Sequence, residues 1–524
     1  MTEHLSAKLR AVTEVLEAIA ADRSLLATLP LDDRTRLLNA AGNVYEPDVQ
    51  LRRRQIKTER QRLKAAKTQQ DQELLAHTAI RVHRTRPVFT TPDVFAPKSG
   101  IEPDQIDDPR AAGPTLDGRL KQHSQATRRQ HCYVCKQKFS QIHFFYDQLC
   151  PTCAEFNYVK RSETTDLSGR VALLTGGRVK IGYQAGIKLL RAGAHLIVTT
   201  RFPRDSALRY AAEPDASEWM HRLEIFGLDL RHTPSVEAFC DHLNETRSRL
   251  DFIVNNACQT VRRPPGFYRH MMDLEAAAVT DMPQPARQLL GAYEGLRGYN
   301  ILQATNETVT AAVPSIAPGL LRGITHAAEM SQAALLPEEL AGQPGLFPEG
   351  RLDQDLQQVD LRDRNSWRLT LAEVSAVELL ETQLVNAVAP FVLNGRLKPL
   401  LLRTPDRDKH IVNVSAVEGQ FYRRLKTTRH PHTNMAKAAL NMMTRTSGAD
   451  YHADGIHMNS VDTGWVSDED PVHIAQRKTA EQHFHPPLDI VDGAARIVDP
   501  IVHGLNSGEH VWGKFLKDYQ PTDW

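Results

Sequence analysis

The chain has 524 residues, of which 41% are hydrophobic and 24% charged, and its formal net charge at pH 7 is +1. This length is too great for one ordinary domain, and the near-neutral charge excludes an overall affinity for nucleic acid or anionic membranes. No stretch approaches the roughly 20 consecutive apolar residues that span a bilayer. Residues 1–4 lack the basic-then-apolar pattern of a secretory signal. We therefore predict a cytoplasmic protein with no membrane partner.

Residues 1–125 are rich in helix-forming and charged residues, and we predict a helical N-terminal arm that ends in a linker. Apolar residues show a weak heptad-like spacing at Leu5, Leu9, Val12, Val15 and Leu16. Between Arg52 and Lys67 there are eight basic residues and one acid, Glu59. A basic helix can bind phosphates, but aromatic residues that would stack on bases are absent from this stretch. A solvated helix face is therefore favoured over nucleic-acid binding, and the Pro- and Asp-rich stretch 87–114 is typical of a linker.

Four of the six cysteines stand in two pairs within residues 126–165, Cys132-x-x-Cys135 and Cys150-x-x-Cys153. A two-residue gap lets both thiolates of a pair reach one ion, and tetrahedral Zn²⁺ prefers four such soft ligands. The 14 residues between the pairs allow a hairpin and include four aromatic residues. Because four protein ligands leave no open position for a catalytic water, we predict a small module with a structural Zn²⁺.

From residue 166 to 524, short apolar stretches alternate with helical ones. This alternation predicts an α/β fold with a doubly wound parallel sheet of the Rossmann type. The six predicted strands are 170–175, 195–201, 223–230, 251–257, 410–416 and 456–463. The predicted helices between them include 181–192, 235–250 and 434–450.

The turn after the first strand, residues 175–182, is rich in glycine and opens a helix, so its backbone N–H groups can approach a pyrophosphate. The second strand ends in Arg201, where NAD-specific folds place an acid. An arginine at that position can pair with a 2′-phosphate, and Arg178 and Lys180 add positive charge nearby. We therefore predict NADP(H) as the cofactor.

These motifs resemble the short-chain dehydrogenase/reductase family. The similar features are the Thr-Gly turn that ends in Gly182, Asp229 after the third strand, and Asn255-Asn256-Ala257 after the fourth. Asn386 is similar to the family's active-site Asn, and Lys437 to the Lys of its Tyr-x-x-x-Lys motif. The end of the sixth strand, 462–466, stands where family members carry Pro-Gly-x-Val. The resemblance covers roughly half of the chain.

The resemblance implies hydride transfer between NADP(H) and an unknown small-molecule carbonyl or alcohol. It implies a cofactor site that includes Thr175, Gly176, Gly177, Arg178, Lys180, Ile181, Gly182, Arg201, Asp229, Leu230, Asn256, Ala257, Lys437, Thr463 and Gly464. It also implies a homo-oligomer, because family members commonly pair through the helices that carry Asn386 and Lys437.

Two of the family's catalytic positions are replaced. Thr433 stands four residues before Lys437, where the family has its Tyr, and Ala416 occupies the usual Ser position. Ser415 is one residue early, and a strand would turn it to the opposite face. Lys180 also replaces the middle glycine of the turn. These departures leave two hypotheses open. In the first, the protein is an oxidoreductase in which a displaced side chain transfers the proton. In the second, the domain is a non-catalytic NADP(H)-binding adaptor.

The candidates for a displaced proton carrier lie in the loop after the fifth strand. They are Tyr422, His430 and His432, and a histidine titrates near neutral pH. We predict a catalytic set of Asn386, Lys437, Tyr422 and Ser415.

An insertion at about 262–370 separates the fourth and fifth strands, with predicted helices at 286–296 and 352–361. It enters at the carboxyl edge of the sheet, where ligands bind. A lid over the substrate and a subdomain that docks a protein partner are equally compatible with this position. The N-terminal arm is the other candidate for a protein contact.

Overall fold

The structure, a computed structural model, describes residues 2–45, 49–84, 124–291, 293, 326–341, 343, 345–353, 357–423 and 426–524. The chain divides into two compact units, residues 1–73 and 74–524. The predicted linker at 87–114 lies outside the described residues.

The smaller unit is helical, as predicted. It contains α1 (Thr2–Ala21), a 3₁₀ turn (Arg23–Thr28), α2 (Leu31–Tyr45) and most of α3 (Val49–Ala76). The apolar residues of α1 that show heptad-like spacing are between 37% and 60% exposed. The described part of the basic stretch, residues 53–67, is exposed throughout.

The paired cysteines lie in a small segment at the start of the larger unit. Strands β1 (Ser124–His131) and β2 (Lys138–Ile142) are antiparallel, helix α5 (Pro151–Ser162) follows them, and the short helix α4 (Ala79–His83) precedes them. Phe145, Tyr146 and Leu149 of this segment share an apolar core with Leu488, which belongs to the Rossmann region. The cysteine segment therefore packs directly on the Rossmann region.

The main sheet has eight strands: β3 (Val171–Thr175), β4 (His195–Thr200), β5 (Leu223–Gly227), β6 (Phe252–Asn255), β7 (Lys409–Ser415), β8 (Ile456–Asp462), β9 (Phe515–Lys517) and β10 (Gln520–Thr522). Their order is β10-β9-β8-β7-β6-β3-β4-β5, and only the β9–β10 pair is antiparallel. The direction of winding reverses between β3 and β6, so the crevice at their carboxyl ends is the switch point at which such folds bind ligands. This order confirms the predicted doubly wound fold.

The described helices of this region are α6 (Lys180–Arg191), α7 (Pro203–Ala211), α8 (Ala216–Trp219), α9 (Thr233–Thr246), α10 (Pro265–Ala276), α11 (Gln284–Gln288), α12 (Ala327–Met330), α13 (Pro337–Leu340), α14 (Ala376–Gln383), α15 (Ala389–Leu401), α16 (Pro431–Ala453), α17 (Val472–Gln482) and α18 (Ile490–Ser507). Helices α6 and α18 pack on one face of the sheet, and α9 and α15 on the other. Leu174 packs into a core that includes residues of α6 and α18. Its neighbour Leu173 packs into a second core, with residues of α9 and α15. Successive residues of the strand thus point into opposite cores. Because both faces of the sheet are buried, the strand sequences are continuous apolar runs.

The insertion lies between β6 and β7, and its described part contains α10 to α13. The predicted helix at 286–296 overlaps α11 only at residues 286–288, residues 289–290 form a turn, and residues 292 and 294–296 lie outside the described residues. The predicted helix at 352–361 is wrong, since Leu352 and Gln358 form an isolated antiparallel bridge. Asp360 there accepts hydrogen bonds from Arg362, two positions away, and from Arg263, 97 positions away, and the long-range pair outweighs the local apolar spacing.

One continuous helical segment, Ala376–Leu401, is long and apolar enough to cross a membrane by length and composition alone. It joins α14, a π-helical turn (Leu384–Val388) and α15. Within its most apolar window, 44% of the residues are buried inside the protein, and Leu393 and Leu397 belong to the second core. These contacts are those of a core helix, so the segment is weak evidence for a membrane span.

Candidate functional site

The turn between β3 and α6 is shaped by contacts that only glycine permits. Gly176 has φ +69°, and a Cβ there would lie 2.8 Å from the Cα of Ala257. A Cβ on Gly182 would overlap the Gly176 carbonyl and the Asn256 amide. Asn256 Nδ2 donates to the carbonyl oxygens of Thr175 and Gly176, both at 3.1 Å. The turn is therefore locked to the end of β6 and leaves the N-terminus of α6 facing the switch-point crevice.

The other predicted residues of this turn are held by the core. The Gly177 carbonyl accepts a hydrogen bond from Tyr210 at 2.8 Å, and Ala257 N donates to Thr175 Oγ1 at 3.0 Å. Ile181 packs against Gly493 of α18.

Lys180 has φ +56°, a left-handed conformation that favours glycine. It is the first residue of α6 and lines the crevice. Burial opposes ionisation of Glu469, but the positive charge of Lys180 and a hydrogen bond from Ser467 hold the pKa of Glu469 below its usual value. The ammonium of Lys180 and the N-terminus of α6 therefore both contribute positive potential to the same part of the crevice.

Two arginines lie beside the carboxyl end of β4, close to the insertion. Arg178 is buried and pairs with Asp205 at 2.7 Å. Arg201 donates to the hydroxyl of Tyr268 at 2.6 Å, and its guanidinium lies 4.7 Å from the centre of that ring. Tyr268 belongs to α10, so the insertion holds Arg201 in place.

Asp229 is buried and accepts hydrogen bonds from Arg231, the shortest at 2.6 Å, and Leu230 is buried beside it. Arg231 also pairs with Glu381 at 3.0 Å. Glu381 accepts a further hydrogen bond from Arg262 at 2.8 Å, so a buried ion-pair network joins the end of β5 to α14 and the insertion. In this structure the carboxylate of Asp229 is therefore bound by the guanidinium of Arg231.

Asn386 is buried in the π-helical turn between α14 and α15. Its Oδ1 accepts from the backbone N of Gln259 at 2.7 Å, and its Nδ2 donates to the Gln259 carbonyl at 3.3 Å. Because π-turns interrupt the regular hydrogen-bond ladder, they are frequent at functional sites. Asn386 here fixes the chain that follows the Asn255-Asn256-Ala257 turn.

Lys437 is buried on α16, and its Nζ donates to the carbonyl of Val414 at 2.7 Å. Ser415 is also buried, and its hydroxyl approaches the Lys437 carbonyl at 3.5 Å. The hydroxyl of Thr433 is buried, and among the described residues it has no hydrogen-bond partner. Ala416 and Thr433, the two replaced positions of the sequence prediction, both line the crevice.

Tyr422 is 97% exposed and does not line the crevice, so the structure gives no contact that would support its predicted role in proton transfer. His430 does line the crevice and is 5% exposed. Its ring stacks on Trp367 of the insertion, with centroids 3.9 Å apart. Burial lowers the pKa of His430 below its usual value. His432 is buried beside Glu378 instead, 3.4 Å from its carboxylate.

The segment after β8 borders both the turn and the substrate end of the crevice. Gly464 has φ +76°, and Thr463 Oγ1 donates to the Gly464 carbonyl at 3.4 Å. Asp462 is buried, which raises its pKa, and it pairs with Lys517 at 3.2 Å. Trp465 N donates to the hydroxyl of Tyr133 at 3.0 Å, and Tyr133 lies inside the first cysteine pair. The cysteine segment therefore supports this edge of the crevice.

These residues surround one large cavity. Its volume is about 1360 Å³, and its lining includes Gly176, Lys180, Arg201, His430 and Lys437. The cavity thus runs from the phosphate turn to α16 across the carboxyl ends of the strands, and the insertion forms one of its walls through Trp367 and Tyr268.

The four paired cysteines converge. Their Sγ atoms all lie within 4.8 Å of one another, and Cys135 and Cys150 are 3.6 Å apart. A tetrahedral ion with Zn–S bonds of about 2.3 Å would separate its sulfurs by about 3.8 Å. Lys136 has φ +62°, and its N donates to the Cys132 carbonyl at 3.1 Å, which closes the first pair into a tight knuckle. The donor set and spacing fit Zn²⁺.

Several known proteins are similar in sequence to the Rossmann region. Residues 170–279 match the family described as short chain dehydrogenase. An uncharacterised protein of Acanthamoeba polyphaga mimivirus is 26% identical over 404 residues, which is 74% of each chain. A short-chain dehydrogenase/reductase of Pyricularia grisea is 33% identical over 108 residues, 19% of this chain and 41% of that protein. The first part of the Rossmann region, residues 170–279, is therefore similar to the short-chain dehydrogenase/reductases.

Two similar solved structures are a Pseudomonas aeruginosa active-site complex with NADP, at 16% identity and TM-score 0.39, and a short chain dehydrogenase from Burkholderia cenocepacia with NADP, at 16% identity and TM-score 0.40. Each covers 67% of this chain, and the matched parts are 95% and 97% of those chains.

The sequence reasoning missed several residues of the site. Trp367 lies in the insertion and Tyr133 in the cysteine segment, and no local pattern connects them with their partners, which are 63 and 332 positions away along the chain. Arg231 had a visible signal, because it follows the strand that ends in Asp229.

Proposed function

We propose that this protein is an NADP(H)-dependent oxidoreductase that transfers a hydride to or from a small-molecule carbonyl or alcohol. One observation carries the proposal, the continuous cavity from Lys180 at the helix N-terminus to Lys437 and His430 on α16. Its volume of about 1360 Å³ exceeds that of common single-ligand pockets, roughly 300–1,000 Å³. A dinucleotide and a substrate can therefore occupy it together.

In this proposal the N-terminus of α6 and the Lys180 ammonium hold the pyrophosphate, and Arg201 with Arg178 holds the 2′-phosphate. The absence of an acid at the end of β4 favours NADPH over NADH, because a carboxylate there would repel the extra phosphate. When bound, the nicotinamide supplies or accepts the hydride at the substrate carbon.

His430 is the proposed proton carrier. His430, Thr433 and Lys437 are spaced by three and four residues, so they follow one face of α16 and its N-cap toward the cavity. Thr433 has a short side chain, and the imidazole one turn earlier replaces the missing phenol.

The depressed pKa of His430 keeps the ring neutral at pH 7. In alcohol oxidation the neutral ring nitrogen would take the proton of the substrate hydroxyl and pass it to water. In carbonyl reduction the ring, protonated from water, would donate that proton to the carbonyl oxygen.

We also propose that the four cysteines hold a structural Zn²⁺. The cluster supplies four thiolates and no open position, and it lies in the segment whose Tyr133 supports Trp465. The ion would stabilise this segment rather than take part in the redox step.

We retain a homo-oligomer and a cytoplasmic location as part of the proposal. Large apolar side chains are exposed on the helices through which family members pair: Leu380, Phe391, Met435 and Met442, between 53% and 66% exposed. A second copy of the chain would cover them.

A second candidate is a non-catalytic NADP(H)-binding adaptor. It is favoured by the replaced Tyr and Ser positions, by the 97% exposure of Tyr422 and by the bond that ties Lys437 to Val414. An adaptor binds the cofactor through the same turn but transfers no hydride.

The test is thermal unfolding with NADPH, NADH or neither, followed by turnover with a panel of carbonyl and alcohol substrates. A ligand at a hundred times its Kd stabilises the folded state by about 2.7 kcal/mol, so NADPH should raise the midpoint and NADH should raise it less. Turnover that is lost in His430→Phe but kept in Tyr422→Phe supports the oxidoreductase. A shift without turnover supports the adaptor, and no shift with either nucleotide contradicts both.

A further inference from the structure

Some of the cationic side chains that line the cavity are paired with carboxylates, and others are not. Most cations of the wall have a carboxylate partner, as in Arg231–Asp229 at 2.6 Å and Lys478–Asp468 at 2.7 Å. Such pairs leave little net charge for a ligand. The loop after β7 differs, because residues 419–430 contain four Arg or Lys residues, one histidine and no acid.

The described cations of that loop face the cavity with little compensation. Arg423 has one carboxylate partner, Glu418, at 2.8 Å. Lys426 donates only to the carbonyl oxygens of Glu418 and Gln420. Arg429 has no carboxylate partner in the part of the chain that the structure describes. All three line the cavity, so its substrate end carries an excess of positive charge.

This excess is separate from the charges assigned to the cofactor. The loop follows β7, while Arg201 ends β4, and the strand order places β3 and β6 between these two. Three strand spacings of about 4.8 Å separate the two regions by roughly 14 Å. One bound phosphate cannot reach both. The nearest reacting group to the loop is His430, which directly follows Arg429.

We propose that the substrate is an organic anion, a carbonyl or alcohol compound whose carboxylate or phosphate group is held by Lys426 and Arg429. This inference rests on the proposed oxidoreductase function. The cationic loop positions the anionic end at the cavity mouth and directs the reacting carbon toward His430. A neutral lipophilic substrate would leave these charges without a partner, and it would gain nothing from the field that they create.

The experiment compares two aldehydes of similar shape, 4-carboxybenzaldehyde and 4-methylbenzaldehyde, with 4-formylphenyl phosphate as a third probe. Each is titrated into the full-length protein saturated with NADP⁺, which cannot reduce an aldehyde, and binding is followed by the fluorescence of the tryptophans, of which Trp367 and Trp465 line the cavity. We expect at least one anionic aldehyde to bind at least tenfold more tightly than the methyl compound, and which of the two it is distinguishes a carboxylate site from a phosphate site. That preference should weaken when NaCl rises, because the cations are exposed.

The double variant Lys426→Gln, Arg429→Gln should lose about tenfold in affinity for the preferred anionic aldehyde and little for 4-methylbenzaldehyde. Arg445→Gln is the matched control, since Arg445 is exposed on α16 and does not line the cavity. Equal affinity of all three aldehydes, binding of none, or an anion preference that survives the double variant overturns the inference. Failure of NADPH itself to bind is measured first, and it overturns the proposed function instead.

Discussion

Replacing Lys180 with glycine should change protein stability and cofactor affinity in opposite directions. Lys180 opens α6 with φ +56°, at a position where the family carries glycine. If its side chain had no function, glycine would be the better residue for this conformation. A strained lysine at a phosphate-binding turn is therefore best explained by what its ammonium does.

The stability effect follows from the backbone. An L-residue in the left-handed region costs roughly 1–2 kcal/mol, which the glycine variant would regain. Glycine also loses more conformational entropy on folding, and this offsets about 0.5–1 kcal/mol of the gain. We expect Lys180→Gly to raise the free energy of unfolding of the ligand-free protein by about 0.5–1 kcal/mol. The pKa of Glu469 should also rise toward its usual range, because Lys180 is the largest of the three groups that lower it, with Ser467 and Arg263.

The binding effect has the other sign. A charge-assisted contact with a phosphate is worth about 1.5–3 kcal/mol, which corresponds to roughly tenfold to hundredfold in Kd. Glu469 competes for the ammonium, so the lower end of this range applies. We expect the Kd for NADPH to rise about tenfold.

The assay is NADPH titration by fluorescence, with thermal unfolding of the same samples without ligand. His483→Gly is the matched control, because His483 has φ +51° and does not line the cavity. The control should gain stability and keep its NADPH affinity. An unchanged or lower Kd in Lys180→Gly would refute the reasoning and leave Lys180 as a tolerated replacement.

Three further effects are expected. Arg201→Gln should weaken NADPH binding about tenfold and leave NADH binding unchanged in parallel titrations, since only NADPH carries the 2′-phosphate. Cys135→Ser, or removal of metal by a chelator, should lower the unfolding midpoint and weaken NADPH binding, because Tyr133 of the same knuckle supports Trp465. Metal analysis that finds no zinc in the native protein would contradict this. Burial lowers the pKa of His410, and of His457 to about 4, so their contribution to stability is complete above pH 6.5 and is lost as the pH falls toward 4. Urea unfolding at pH 7 and pH 5 should show the loss, and a free energy of unfolding that does not fall at pH 5 would argue against it.

Much of the fold could be predicted because its signals are local. All six predicted strands are present, and their starts agree with the observed ones to within one residue, since buried parallel strands are uninterrupted apolar runs. The additional strands β9 and β10 are three residues each, too short for any periodicity to be recognised. The false helix at 352–361 failed for the opposite reason, because a long-range pairing of Asp360 with Arg263 outweighed an apparent pattern.

The site was less predictable because its chemistry depends on distant contacts. The glycine turn and the cysteine pairs are contiguous motifs and could be recognised directly. The sequence of the loop does not reveal that Tyr422 is exposed and His430 is buried, because both residues have similar neighbours in sequence. The ring of His430 is buried and stacks on Trp367, 63 positions away along the chain, while Tyr422 stays exposed.

The positions of the two additions to the family's domain bear on the choice between enzyme and adaptor. An adaptor needs its added segments to present surfaces away from the cofactor, toward a partner. Here both additions reach into the same cavity from different parts of the chain. The insertion places Trp367 against His430 and Tyr268 against Arg201, while the cysteine segment places Tyr133 under Trp465. These contacts shape both ends of one cleft, near the proposed proton carrier and the proposed cofactor site, which favours the proposed enzyme over the adaptor.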